Sequence, residues 1–107
     1  MIAIRVLRDG VVIREVLHRS TPIRIGRSPE SDMVLTEPSV SREHARIERD
    51  GSGGLVIVGG VGTNGLYSGP RRVDSEPIVG RLRARLGLAE IEIEAIARRS
   101  VCLSSSR

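Results

Sequence analysis

The sequence predicts an all-β protein built as a β-sandwich, and three observations carry that prediction. The apolar residues are aliphatic: Phe and Trp are absent and Tyr67 is the only aromatic. A core of Ile, Val and Leu suits strands, where β-branched side chains pack well on a pleated surface. Short runs alternate polar and apolar residues with a period of two, most clearly over residues 81–95, and no segment holds a helical period. Glycine, proline and aspartate break the chain at short intervals, as turns between strands require. At 107 residues the chain is long enough for one domain around one core.

The elements follow in order. Residues 1–7 read as a strand, Asp9-Gly10 as a two-residue hairpin turn and residues 11–17 as the returning strand. Simple pairing across that turn sets Arg5 opposite Arg14, which is unfavourable unless a bulge or an intervening carboxylate relieves it. Residues 22–25 give a third strand ending at Gly26, and residues 28–32 a loop. Met33-Val34-Leu35 is a brief strand, residues 38–43 a second loop, and residues 45–50 a half-buried strand by alternation. Glycines at 51, 53 and 54 turn the chain into a buried strand over residues 55–58. Residues 59–65 hold four glycines and form no regular structure, and short strand pieces follow at Leu66-Tyr67 and Arg72-Val73.

The last hairpin has the best-determined register. With Gly87-Leu88 as a type II′ turn, Arg85 faces Glu90, Arg83 faces Glu92 and Arg81 faces Glu94. On the other face Ala84 meets Ile91 and Leu82 meets Ile93. A slip of one residue would bury the charges, so both faces select this pairing. Tyr67 is expected to pack in the core. The domain is expected to span residues 1–97, with residues 98–107 a flexible tail or the start of a linker.

The formal charge is +4, and all 17 basic residues are arginine. Net charge alone does not choose among a phosphoprotein, a nucleic acid and an acidic lipid. Stacking on single-stranded nucleic acid needs aromatic platforms, and one tyrosine does not provide them. Cys102 is alone, which leaves no disulfide framework and no metal-ligand spacing. No apolar run approaches the roughly 20 residues of a membrane span, and the N-terminus has no signal-peptide pattern. A cytoplasmic location is the expectation. No nucleophile elbow, P-loop or metal cluster is present, so no catalytic residue, metal or cofactor is expected.

Three constellations carry the chemistry: Gly26-Arg27, then Ser41-Arg42-Glu43-His44, then Thr63-Asn64-Gly65. All fall in turns between strands. Guanidinium forks, hydroxyls and an amide are donors without a paired acid and base, a set suited to holding an anion rather than moving protons.

The order Gly26-Arg27, Ser41-x-x-His44, Asn64-Gly65 resembles the forkhead-associated (FHA) domain, over roughly residues 22–96. The resemblance implies a sandwich of about eleven strands whose loops at one end bind phosphothreonine in an extended peptide. Carried over by position, it implies phosphate contacts from Arg27, Ser41, Arg42 and Thr63 and a peptide-backbone contact from Asn64. Gly26, His44 and Gly65 would support the loops. The partner would be a threonine-phosphorylated protein or peptide, in another chain or elsewhere in the same larger one. The pattern departs from the family in the third loop, where Gly59, Gly62 and Leu66 replace the usual Asp, Ser and Thr. That departure leaves room for an alternative, a phosphate-independent scaffold for constitutive assembly. Ser39, Arg42 and the turn at residues 59–62 are where preference for a flanking peptide residue would be read.

Overall fold

The structure is a computed structural model, and it describes residues 1–60 and 65–96. Eleven strands and no helix make up the described residues: β1 (Ile2–Arg8), β2 (Val11–His18), β3 (Ile23–Gly26), β4 (Met33–Val34), β5 (Ala45–Arg49), β6 (Leu55–Gly59), β7 (Leu66–Ser68), β8 (Arg71–Val73), β9 (Ser75–Ile78), β10 (Arg81–Leu86) and β11 (Ala89–Ala95). They form a six-stranded sheet in the order β2-β1-β11-β10-β7-β8 and a five-stranded sheet in the order β4-β3-β5-β6-β9. All pairings are antiparallel except β3 with β4, which run parallel because the intervening loop carries the chain back over the sheet. No helix among the described residues is long and apolar enough to cross a membrane.

The core lies between the sheets and is aliphatic throughout. Ile2, Ile4, Ile91 and Ile93 from one sheet meet Ile23, Ile25, Ile47 and Ile57 from the other, all nearly or wholly buried. Burying each such side chain stabilises the fold by about 1.5–3 kcal/mol before chain entropy is counted.

The β10–β11 hairpin has the register that its two faces select: Arg81 opposite Glu94, Leu82 opposite Ile93, Arg83 opposite Glu92, Ala84 opposite Ile91 and Arg85 opposite Glu90. Gly87, at φ 62°, opens the turn. The ion pairs follow only partly. Arg81 lies 3.4 Å from Glu94, and Arg83 lies 3.7 Å from both Glu92 and Glu90. Arg85 instead covers the ring of Tyr67 at 4.2 Å from its centroid. Tyr67 is accordingly half-buried on the outer face and not a core residue.

The first hairpin corrects a simple expectation. Asp9 and Gly10 both take positive φ (55° and 80°), as a type I′ turn requires. A bulge between Val6 and Leu7 then shifts the register, so Arg5 stands opposite Glu15 and not Arg14. Its guanidinium reaches Glu15 at 2.6 Å, Glu94 at 2.8 Å and Glu92 at 3.1 Å. One extra residue on β2 thus replaces a repulsion with an attraction, and the β1–β11 register adds the other two carboxylates. Strand β9 has no counterpart in the sequence reading, because Asp74 and Pro77 look like loop; Pro77 is tolerated at the outside edge of the five-stranded sheet. The Thr21–Pro22 peptide is cis.

Candidate functional site

The site grows from the end of β3. Past Gly26 the backbone continues alongside residues 40–42: Arg27 N–H donates to the Ser41 carbonyl (3.0 Å) and Ser28 N–H to the Arg42 carbonyl (3.1 Å). The approach is so close that a methyl group on Gly26 would lie 2.1 Å from the Arg42 carbonyl oxygen. Only glycine fits there.

Arg27 itself is exposed. Its Nε donates to the Val40 carbonyl at 2.8 Å, which fixes the plane of the guanidinium and leaves both terminal nitrogens without an acceptor among the described residues. Arg42, next along the facing loop, is also exposed and makes no side-chain bond to a described residue.

The facing loop, residues 36–43, is held from two sides. Val40 is fully buried in the core. The Glu37 carboxylate accepts from both Ser39 N–H and Ser39 Oγ at 3.2 Å, while Ser39 Oγ accepts from Leu88 N–H at 2.7 Å in the β10–β11 turn. A methyl on Gly87 would meet the Ser39 carbonyl oxygen at 2.5 Å. The turn and the loop are therefore in backbone contact.

His44 is the hub, and it is wholly buried. Its Nε2 lies 2.8 Å from the Gly65 carbonyl, and its Nδ1 accepts the Ser41 N–H at 3.0 Å. A carbonyl can only accept, so the proton sits on Nε2 and the ring is neutral. Burial pushes the imidazole below its ordinary pKa of 6.5, with the bond to Gly65 pulling weakly the other way. The His44 carbonyl also accepts from Gly60 N–H at 2.7 Å. One residue thus ties the Ser41 loop to both ends of the segment between Gly60 and Gly65. Gly65, at φ 105°, packs so tightly on Tyr67 and Arg72 that an added methyl would sit 2.9 and 3.2 Å from them.

Gly26, Arg27, Ser41, Arg42, His44 and Gly65 therefore gather at one end of the sandwich. Thr63 and Asn64 lie outside the described residues, as do Cys102 and residues 97–107. Ser41 and His44 do not make a nucleophile and base. The ring contacts the serine's backbone N–H, and both ring nitrogens are already bonded. Sequence reasoning missed Val40, whose carbonyl orients Arg27, and Gly87, which abuts Ser39. Nothing in side-chain type signals a role played by a main-chain carbonyl.

These features define a β-sandwich whose loops at one end present two exposed guanidinium groups, that of Arg27 oriented by a main-chain carbonyl, beside a buried histidine hub. Residues 23–86 match the FHA domain family model, and the chain belongs to that family. No curated protein matches the chain. Among solved structures it is similar to the Slr1951 protein from Synechocystis sp., with 29% identity and a TM-score of 0.73 over 91% of this chain and 97% of that one. It is similar to the first FHA domain of Mycobacterium tuberculosis Rv1747, with 25% identity and a TM-score of 0.69 over 87% and 95%. It is also similar to M. tuberculosis EmbR in complex with a low-affinity phosphopeptide: 25% identity and a TM-score of 0.75, covering 90% of this chain and 24% of EmbR.

Proposed function

We propose that this domain is a non-catalytic interaction module that binds a phosphothreonine-containing segment of a partner protein, acting in the cytoplasm. The observation that carries the reading is Arg27: its Nε is occupied by the Val40 carbonyl, so the guanidinium plane is oriented in advance and its two terminal NH2 groups are left to a ligand. A phosphate of charge about −2 accepts such a fork in charge-assisted bonds. Ser41 and Arg42 add a hydroxyl and a second cation from the adjoining loop. Thr63 would contribute at the phosphate and Asn64 at the peptide backbone, next to Gly65. EmbR, a relative of the same fold, was solved with a phosphopeptide, which supports the same ligand class here.

The test is an oriented phosphothreonine peptide library, followed by calorimetry on a recovered peptide and its unphosphorylated twin. Binding of the phosphorylated form alone is expected. Arg27→Ala should remove about 2–5 kcal/mol if its bond is desolvated, hence at least about tenfold in affinity. Equal binding of the two peptides would refute the proposal.

A second reading, phosphate-independent assembly, draws on β2. This edge strand exposes Val11, Val12, Ile13 and Leu17 and has one unpaired side, a surface suited to another chain. It requires a partner that stays bound after phosphatase treatment.

A further inference from the structure

The outer face of the six-stranded sheet carries arginines in two states. Arg5, Arg81 and Arg83 are compensated by Glu15, Glu90, Glu92 and Glu94. Arg85 and Arg72 are not: no carboxylate among the described residues pairs with either. Register explains why they stand together. Arg85, Tyr67 and Arg72 are directly opposite one another across β10, β7 and β8, and so form one row on one face. Glu90, the cross-strand neighbour of Arg85, approaches Arg83 instead. Arg85 is left over the Tyr67 ring, held there by a 2.7 Å bond to the Gly87 carbonyl.

The row abuts the loop site. An added methyl on Gly65 would lie 2.9 Å from Tyr67 Cε1 and 3.2 Å from Arg72 Nε, so both side chains lie flush against Gly65. The carbonyl of Gly65 is bonded to His44, and the other nitrogen of that ring to Ser41. The His44 imidazole and Gly65 therefore link the Arg27–Ser41 loop to the row. A guanidinium seated on an aromatic face is oriented and partly desolvated, which prepares it for an anion better than a mobile surface cation.

We propose that the Arg72–Tyr67–Arg85 row is a second anion subsite, taking a carboxylate or a further phosphate on the same peptide whose phosphothreonine occupies the Arg27–Ser41 loop. The proposal rests on the phosphothreonine reading of that loop. It makes the preferred partner an acidic or multiply phosphorylated segment. A single-stranded nucleic acid fits less well, because bases stack on open aromatic faces and the one tyrosine already carries Arg85.

The experiment uses degenerate phosphothreonine peptides in three sets. One has neutral flanks, one has Glu fixed at each flanking position in turn, and one has a second phosphothreonine fixed in the same way. Each set is probed with the wild-type chain, Arg72→Gln and Arg85→Gln. The wild type is expected to favour an acid at one or two adjacent positions by about two- to fivefold, the range of an exposed ion pair, and a second phosphate by more. Both variants should lose that preference and keep their binding to the neutral set. Arg72 is exposed, so its replacement leaves the fold intact even if Arg85→Gln disturbs Tyr67. Wild-type binding to phosphothreonine peptides without an acid preference would overturn this proposal alone, as would a preference surviving in both variants. Failure of the wild type to retain any phosphothreonine peptide would overturn it together with the function proposed above. Preference for a single-stranded oligonucleotide over every peptide, lost in Arg72→Gln, would also overturn it.

Discussion

Replacing Gly26 with alanine puts a methyl carbon 2.1 Å from the Arg42 carbonyl oxygen, 2.7 Å from its carbon and 3.0 Å from the Ser41 carbonyl oxygen. An ordinary carbon–oxygen contact is about 3.3 Å or more, so β3 and the Ser41 loop must part by roughly 1 Å. Nothing nearby can yield instead, since every one of those atoms is backbone. The Arg27–Ser41 and Ser28–Arg42 bonds, at 3.0 and 3.1 Å, do not survive such a shift. Two net hydrogen bonds at about 0.5–1.5 kcal/mol each, with overpacking strain of about 1–3 kcal/mol, give a loss of roughly 2–6 kcal/mol. At about 4 °C or more per kcal/mol for a domain of this size, Tm should fall by about 8 °C or more. Gly51→Ala is the control, because no heavy atom lies within 4 Å of the added carbon; it should change stability by less than about 0.5 kcal/mol. Thermal and urea denaturation of the two variants side by side make the measurement. A Gly26→Ala midpoint that coincides with that of Gly51→Ala would show that the two backbones are not in contact.

Two further outcomes follow from the charged groups. His44 is held neutral by burial, and His18 is shifted the same way by burial, its Nε2 enclosed without a partner among the described residues. The unfolded chain binds these protons from about pH 6.5 downward while the folded chain resists them, so folding stability should decline as pH drops below that value. Urea titrations of the peptide-free domain between about pH 7.5 and 5 would read this without interference from the phosphate, whose own second pKa near 6 weakens binding over the same range. A flat profile would mean that neither ring is buried as described, and His44→Gln should remove part of the slope. Arg5→Met should lower Tm at neutral pH by leaving Glu15, Glu92 and Glu94 together without a cation. The Glu94 carboxyl is held below its ordinary 4.5 chiefly by Arg5, so this stabilisation is present above that value and disappears as pH falls through the lowered one. The gap in Tm between variant and wild type should therefore close in acid and shrink in salt; a gap independent of both would assign the effect of Arg5 to packing.

How much of this molecule its sequence disclosed depends on how local the deciding interactions are. The β10–β11 register was legible because two faces of one hairpin, read off neighbouring residues, agree on a single pairing. The β1–β2 register was not, because nothing within the hairpin marks the bulge, and two of the three carboxylates around Arg5, Glu92 and Glu94, lie on a third strand that arrives late in the chain. Strand β9 was hidden because the rule that keeps proline out of sheets does not hold at an edge. At the loop site, the side chains that carry donors were visible by type and order. The parts that hold them, the Val40 carbonyl beneath Arg27 and the Ser39 contact to the β10–β11 turn, were not.

The same distinction governs the meaning of an all-arginine basic complement. Composition states only the sum, and a sum of +4 is equally consistent with a scattered surface charge and with a concentrated one. Whether an arginine is available to a partner depends on its strand register: Arg83 and Arg85 are two residues apart in sequence and chemically alike, yet one is engaged by two glutamates and the other rests on a tyrosine with no counter-charge among the described residues. The arginines free of carboxylates beside the loops, Arg27, Arg42, Arg72 and Arg85, are few against the total. They are nevertheless linked through one buried histidine and the glycine it binds. The phosphate site proposed here would draw its strength from orientation rather than from net charge. A uniform change in surface charge far from His44 should then alter association rates and leave peptide preference in place, whereas a change that displaces the ring should abolish preference while the net charge stays the same.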